Sequence, residues 1–274
     1  MKTLVLHSLK TSAAKKLALE LGGEIEVRKS HFRIHTKKDF DIENFRLSNN
    51  FDLNIFDNNF DYQNIKLMVS DMDSTLITVE TIDEVAKEVG LKDEISLITE
   101  AAMQGHLDFT ESFKKRLSIL KGVSNSSFES VYNKKVEFSP GAKVLIEYFK
   151  SNQIRTAVVS GGLSFFAKKL QSQLGIDNCR ANNVEIINQS ITGNVIGNVI
   201  DAKEKAKYID ELCDQYKLKN NQVIAIGDGA NDIEMMKVAG LSVAYHAKPI
   251  LKQYCDIQIN YGSLASLIDF FVDA

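Results

Sequence analysis

The chain has 274 residues, 44% of them hydrophobic and 25% charged, the balance of an ordinary globular protein with a sizeable core. Lys and Arg number 33 against 36 Asp and Glu, so a net charge of −3 offers no general field for nucleic acid or an anionic membrane. Three scattered cysteines without a CxxC pair speak against a disulfide framework or a zinc site. No apolar run approaches the ~18 residues of a membrane span, and the expected setting is a reducing cytoplasm.

Residues 1–57 read as a small α+β unit of their own. Strand patterns at 2–6, 24–28, 31–36 and 52–56 alternate with helices at 11–21 and 41–47, and Gly22-Gly23 closes the first helix. The order β-α-β-β-α-β suits a four-stranded sheet with helices on one face. The polar stretch 58–64 then reads as a linker.

From Ile65 the rhythm changes. Short apolar runs lead into Asp71, Ser160 and Asp228, with a further run at Leu241–Tyr245, as expected of parallel strands buried on both faces. The fold class is α/β, a Rossmann-like parallel sheet spanning 65–78 and 138–274. Ser139-Pro140 reads as a helix start with an N-cap serine, and Asp201 has Glu204 three residues on. Residues 79–137 are a helical insertion. It opens with the capping-box pattern Thr81-x-x-Glu84 and sits above the carboxyl edge of the sheet as a cap. Val184–Ile187 and Ile191–Val195 read as a hairpin joined by Asn188-Gln189-Ser190.

Ligands of an open α/β sheet bind beyond the carboxyl ends of its strands, where Asp71, Ser160 and Asp228 all stand. Asp71 and Asp73 can hold a hard cation such as Mg²⁺, and a carboxylate can attack phosphorus. Alone they read equally as turn carboxylates capping a helix. Gly227-Asp228-Gly229-Ala230-Asn231-Asp232 adds a second acidic loop whose two aspartates can reach one cation. Ser160-Gly161-Gly162 offers a hydroxyl and backbone N–H groups at a helix N-terminus. Lys205, flanked by Lys203 and Lys207, could neutralise a phosphoryl group or simply belong to a solvated helix face.

Asp71-Met72-Asp73-Ser74-Thr75, Ser160, Lys205 and Gly227–Asp232 resemble, in order and separation, the four motifs of the haloacid dehalogenase superfamily. Glu80-Thr81-Ile82-Asp83-Glu84, Met103-Gln104-Gly105-x-Leu107-x-Phe109 and Arg116 followed by Leu120-Lys121-Gly122 narrow the resemblance to its phosphoserine phosphatases, from about Lys66 onward. No motif position departs from the pattern. The resemblance implies hydrolysis of phosphoserine, the last step of serine biosynthesis, with Mg²⁺ as cofactor. Asp71 would be the nucleophile and a metal ligand. Asp73 would be the general acid and base, lending its backbone carbonyl to the metal. Asp228 would be the other ligand, with Asp232 supporting it. Ser160, Gly161, Lys205 and Asn231 would contact phosphate and substrate.

Phosphoserine also carries an ammonium and a carboxylate, for which Glu80 and Arg116 provide opposite charges. Met103 and Phe109 would be apolar walls, although their spacing alone fits a plain core. The substrate is thus a small molecule, with no nucleic-acid or membrane partner expected. Transfer to another alcohol such as homoserine would use the same base, Asp73. A non-catalytic phospho-acceptor switch would leave Glu80 and Arg116 without a purpose. The strand order of 1–57 resembles the ACT fold, which would imply serine binding or a homodimer; a structural appendage is the alternative. His31 and His35 share a strand face and read as structural, and His106 and His246 as incidental.

Overall fold

The computed structural model describes residues 1–103 and 106–271. The first unit runs β1 (Lys2–Leu6), α1 (Thr11–Leu21), β2 (Glu24–Val27), β3 (Phe32–Thr36), α2 (Ile42–Leu47) and β4 (Leu53–Phe56). Its antiparallel sheet has the order β2-β3-β1-β4. Period-two alternation sends Leu4, Leu6, Phe32, Ile34 and Leu53 to one face, where they meet Ala14, Leu17 and Leu21 of α1. The opposite face is covered too. Val5, Arg33 and Asn54 are buried against the C-terminal part of the chain, and the Arg33 guanidinium lies 4.2 Å from the Phe56 ring.

Polar groups make this junction specific. Asn54 and Gln258 exchange backbone and side-chain hydrogen bonds (3.0 and 2.8 Å). Asp269 accepts from His7 (2.8 Å) and Ser30 (2.5 Å) and faces His31 at 3.2 Å. Burial pushes the Asp269 carboxyl up, but the hydrogen bonds from His31 and His7 outweigh it and hold it well below the usual range. The stretch 58–64, expected as a linker, is mostly exposed but carries one buried anchor. Tyr62 is 5% exposed, stacks on Phe56 and packs against Phe60 and Phe270, burial its polar neighbours concealed.

The second part continues with β5 (Leu67–Ser70), α3 (Thr81–Glu88), α4 (Lys92–Met103), α5 (Phe109–Ile119), α6 (Asn125–Lys135), α7 (Ala142–Ser151) and β6 (Arg155–Leu163). It ends with α8 (Ser164–Leu174), β7 (Asn178–Ile187), β8 (Ser190–Ile196), α9 (Ala202–Tyr216), β9 (Val223–Gly227), α10 (Ile233–Val238), β10 (Leu241–Tyr245), α11 (Pro249–Lys252) and β11 (Ile257–Ile259). Among the described residues the sheet order is β11-β10-β9-β5-β6-β7-β8, parallel except for β8. β5 is central, so Asp71 leaves the middle of the sheet. The β7–β8 hairpin turns through Asn188 and Gln189, both at positive φ, and β8 is tied to the helical insertion. Gly122 donates to Ile191 O (2.8 Å), Ile191 to Val123 O (3.0 Å) and Asn125 to Gln189 O (2.8 Å).

Three local expectations change. The helix expected at Ser139-Pro140 begins at Ala142, because Ser139 N donates to Leu76 O and Gly141 turns the chain at φ +80. A Cβ at Gly141 would lie 2.5 Å from Ala265 N, which glycine avoids. Thr81 does not cap α3; its hydroxyl is engaged elsewhere, as described below. Ser160–Gly162 belongs to the irregular end of β6 rather than to a helix N-terminus, since α8 starts only at Ser164.

Candidate active site

The carboxyl ends of β5, β6 and β9 open into a cavity of about 650 Å³, roofed by α4 and α5. Asp71, Asp73, Glu80, Phe109, Arg116, Ser160, Gly161, Asn231 and Asp228 line it together. Their elements are far apart in sequence, and parallel pairing of β5 with β6 and β9 is what brings them to one edge. The side chain of Met103, expected as an apolar wall, lies outside the described residues.

Asp71 is 2% exposed, and its Oδ1 accepts from Met72 N (2.8 Å) and faces Lys205 Nζ at 2.8 Å. Lys205 is fully buried on α9 and also reaches Asp232 Oδ1 at 2.7 Å. Burial opposes its charge, but Asp232 and Asp71 more than compensate and hold the ammonium above its ordinary range. Lys205 is therefore not on the cavity wall, where a direct phosphate contact was expected. It stands behind Asp71 and holds its carboxylate in place.

Asp232 has both oxygens in use, since Oδ2 accepts from Asp228 N (3.1 Å) and Gly229 N (3.2 Å). A Cβ at Gly227 would overlap that carboxylate, which explains the glycine there. Carboxylate oxygens of Asp71, Asp228 and Asp232 all lie within 4.8 Å of one another. Burial and repulsion by Asp232 push the Asp228 carboxyl up to about 7. Burial, then Asp232, push Asp71 up as well, against the pull of Lys205. Three carboxylates thus gather around one buried ammonium, Lys205. A hard divalent cation with oxygen ligands fits that surplus of negative charge.

Asp73 is set in a different environment. Its Oδ2 accepts from Thr81 Oγ1 (2.9 Å) and Thr81 N (3.3 Å), while Oδ1 is buried without a partner. Its side chain is outside the carboxylate cluster. Burial, reinforced by the nearby Glu80 carboxylate, pushes the Asp73 carboxyl up to about 8. A carboxyl raised in this way is suited to deliver a proton in acid catalysis.

The cap residues complete the wall. Glu80 Oε1 accepts from Ser74 Oγ (2.8 Å). The Arg116 Nε is buried without a hydrogen-bond partner, and burial holds its guanidinium below the ordinary range despite Asp83, Glu80 and Asp73. An anionic ligand would satisfy it. The Phe109 ring lies directly over Gly161, where a Cβ would be 2.5 Å from Cζ. Ser160 is 1% exposed, and its Oγ accepts from Gly162 N at 2.8 Å.

Sequence reasoning missed several contributors. Asn182, fully buried, donates to Gly161 O (2.8 Å) and accepts from Ile200 N (2.8 Å), fixing the end of β6. Nothing in Asn178–Asn183 announces a buried strand. Thr81 was hidden by its resemblance to a cap. Ser112 lines the cavity one turn before Arg116, a spacing that could have found it. Lys248, in the loop after β10, and Ile250, on α11, also line it, where the strand-end rule could have found them.

Residues 68–237 match the family of haloacid dehalogenase-like hydrolases. The chain belongs to that family. A phosphoserine phosphatase from Polaromonas sp. is 43% identical over 209 residues, 74% of this chain and 89% of that one. Among solved structures, a haloacid dehalogenase family hydrolase from Salmonella enterica serovar Typhi superposes with a TM-score of 0.90 at 28% identity, covering 99% of this chain and 98% of that one. A probable phosphoserine phosphatase from Vibrio cholerae gives a TM-score of 0.85 at 30% identity, covering 98% and 85%. The likeness to these two structures includes the N-terminal unit. Like other members of the family, this haloacid dehalogenase-like hydrolase is a phosphatase. No helix among its described residues is long and apolar enough to cross a membrane.

Proposed function

We propose that this phosphatase hydrolyses O-phospho-L-serine through an aspartyl-phosphate on Asp71, as the step that yields free serine in its biosynthesis. The observation that carries the reading is the pairing of Asp71, held against Lys205 at 2.8 Å, with Asp73 two residues on, held by the Thr81 hydroxyl at 2.9 Å with its buried carboxyl raised to about 8. The relatives named phosphoserine phosphatase support the substrate.

Asp71 attacks phosphorus and forms the new P–O bond as the seryl oxygen leaves, taking the proton of Asp73. A water then attacks the acyl phosphate and gives its proton to the Asp73 carboxylate, phosphate departs, and both residues return to their starting states. Lys205 keeps Asp71 in line, and Ser160 and Gly161 face the phosphoryl oxygens. Arg116 pairs with the substrate carboxylate and Glu80 with its ammonium, while Phe109 excludes water. Asp71, Asp228 and the backbone carbonyl of Asp73 would hold Mg²⁺, supported by Asp232. Bound there, Mg²⁺ would supply charge neutralisation for the transferring phosphoryl group.

The corresponding division is a small ACT-like unit at 1–57, a connector, a core at 65–78 and 138–274, and a cap at 79–137. Serine binding and homodimer formation are its proposed roles, to be read as serine-dependent sedimentation of the whole chain. The deciding assay is phosphate release from a panel of esters, with and without Mg²⁺, for wild type and Asp71→Asn. Turnover of phosphoserine that survives the substitution would remove the nucleophile. Good activity on other monoesters alone would remove the substrate. Added homoserine that becomes phosphorylated would make the chain a phosphotransferase.

A further inference from the structure

One wall of the cavity comes from a segment that none of the motif residues supplies, the turn into α11. Lys248 and Ile250 line it from the segment after β10. The Lys248 side chain is 58% exposed, with Nζ 4.0 Å from Asp228 Oδ2, and its backbone N donates to Asp228 O at 2.8 Å. Among the described residues the lining carries four carboxylates, from Asp71, Asp73, Glu80 and Asp228, against two cations, Arg116 and Lys248. Arg116 is mostly enclosed. Lys248 is the cation that faces solvent, where an incoming phosphomonoester first meets the site.

The loop is held from outside. His246 takes a left-handed φ of +43; its N donates to Ile259 O (2.7 Å) and its Nε2 to Gly262 O (2.9 Å). Residues 260–262 are in turn gathered around one carboxylate. Asp52 Oδ1 accepts from Asn260 N (2.6 Å) and Tyr261 N (3.1 Å), and Oδ2 from Gly262 N (2.7 Å). Three successive N–H groups form a concave anion site, here filled by a side chain of the chain itself. Asp52 is 3% exposed and immediately precedes β4, so it belongs to the N-terminal unit. A Cβ at Gly262 would lie 2.8 Å from Asp52 Oδ2, so the close approach relies on glycine. Two hydrogen-bonded loops thus connect Asp52 to the rim that carries Lys248.

We propose that Lys248 is a substrate-binding residue of this site and that Asp52, from the N-terminal unit, is the residue that positions it. The inference rests on the phosphomonoester reading given above. It makes the N-terminal unit part of the active-site architecture rather than an attachment to it.

The test compares wild type, Lys248→Met, Asp52→Asn and the double variant with Mg²⁺, on phosphoserine and on p-nitrophenyl phosphate, at low and high salt. Lys248→Met is expected to raise KM about fivefold, leave kcat within about twofold, and flatten the salt dependence of KM. Asp52→Asn should raise KM about threefold, and the double variant should match Lys248→Met, because both changes act through one side chain. An unchanged KM in Lys248→Met overturns the binding role. A double variant that multiplies the two effects overturns the link. Should Asp52→Asn not fold, His246→Ala cuts the same relay at an exposed residue and must show the same non-additivity. A wild-type chain inactive on phosphoserine but active on p-nitrophenyl phosphate removes only the substrate reading, and the comparison is then decided on the second ester.

Discussion

Replacing Gly161 with alanine isolates the contact between the cap and the phosphate end of the site. The backbone at Gly161 is outside the left-handed region, so alanine adopts it without strain and only the added methyl matters. That methyl would lie 2.5 Å from Phe109 Cζ, whereas carbon atoms rest at roughly 3.5–4.0 Å, so the ring must move by about 1 Å or more. Phe109 begins α5 and cannot slide freely. Glu111 N donates to Asp108 Oδ1 (2.7 Å), Asp108 N donates back to Glu111 Oε2 (3.3 Å), and the ring stacks on Phe113 at 6.4 Å. The cap is therefore displaced or the ring leaves its place over the substrate. Misplacement on the order of 1 Å costs up to about 100-fold in rate, and overpacking about 1–3 kcal/mol in stability. Steady-state kinetics on phosphoserine should show kcat/KM falling roughly 10- to 100-fold, with substantial recovery in Gly161→Ala/Phe109→Leu. A Gly161→Ala enzyme with wild-type kinetics, or a loss that the second substitution does not relieve, would refute the roof contact.

Three further outcomes follow from the electrostatics. The alkaline limb of kcat should report Asp73 near about 8; Glu80→Gln should move it to lower pH and Thr81→Val to higher pH, and a limb unmoved in both variants would place the acid elsewhere. Lys205→Met leaves Asp71, Asp228 and Asp232 buried without their ammonium, so chemical denaturation should show a loss of about 3–5 kcal/mol, and Mg²⁺ should raise Tm more in the variant than in wild type. Equal stability with and without the lysine would overturn its orienting role. Asp269→Asn should weaken the junction by about 2–3 kcal/mol near neutral pH, since charge-assisted bonds are among the stronger ones. Because the folded carboxyl is held low, its contribution is complete above the unfolded value near ~4 and is lost as pH falls from there toward the folded value. Wild type and Asp269→Asn should therefore converge in stability at acid pH, and a constant gap would assign the effect to packing.

What could be read from the sequence was whatever short-range chemistry announces. The apolar runs leading to Asp71, Ser160 and Asp228 are strands buried on both faces, and two of them flank β5, so their carboxyl ends meet. The hairpin declared itself through Asn188 and Gln189, which take the positive φ its turn requires. Failures came where a distant partner overrides a local pattern. Thr81 has the neighbours of a cap, yet Asp73 takes its hydroxyl. Ser139-Pro140 looks like a helix start, yet Leu76 holds Ser139 in a bridge. The first half of β7 went unseen because Asn178, Arg180, Asn182 and Asn183 are polar, and the hydrogen bonds that satisfy Asn182 come from Gly161 and Ile200. Lys205 showed its charge in the sequence but not its burial, which only the paired aspartates make tolerable.

Three backbone hydrogen bonds tie residues 122–125 to Gln189 and Ile191 of the β7–β8 hairpin. Lifting the whole helical insertion off the sheet would break all of them, at about 0.5–1.5 kcal/mol each, whereas tilting about them breaks none. The hairpin thus anchors the α5–α6 junction, beside the Lys169–Glu129 ion pair and the Tyr132–Gln173 hydrogen bond that hold α6 to α8. Amide hydrogen exchange should divide the insertion accordingly, with Gly122, Asn125 and Ile191 slow and the amides of α4 faster, and substrate should enter past α4 rather than past the hairpin.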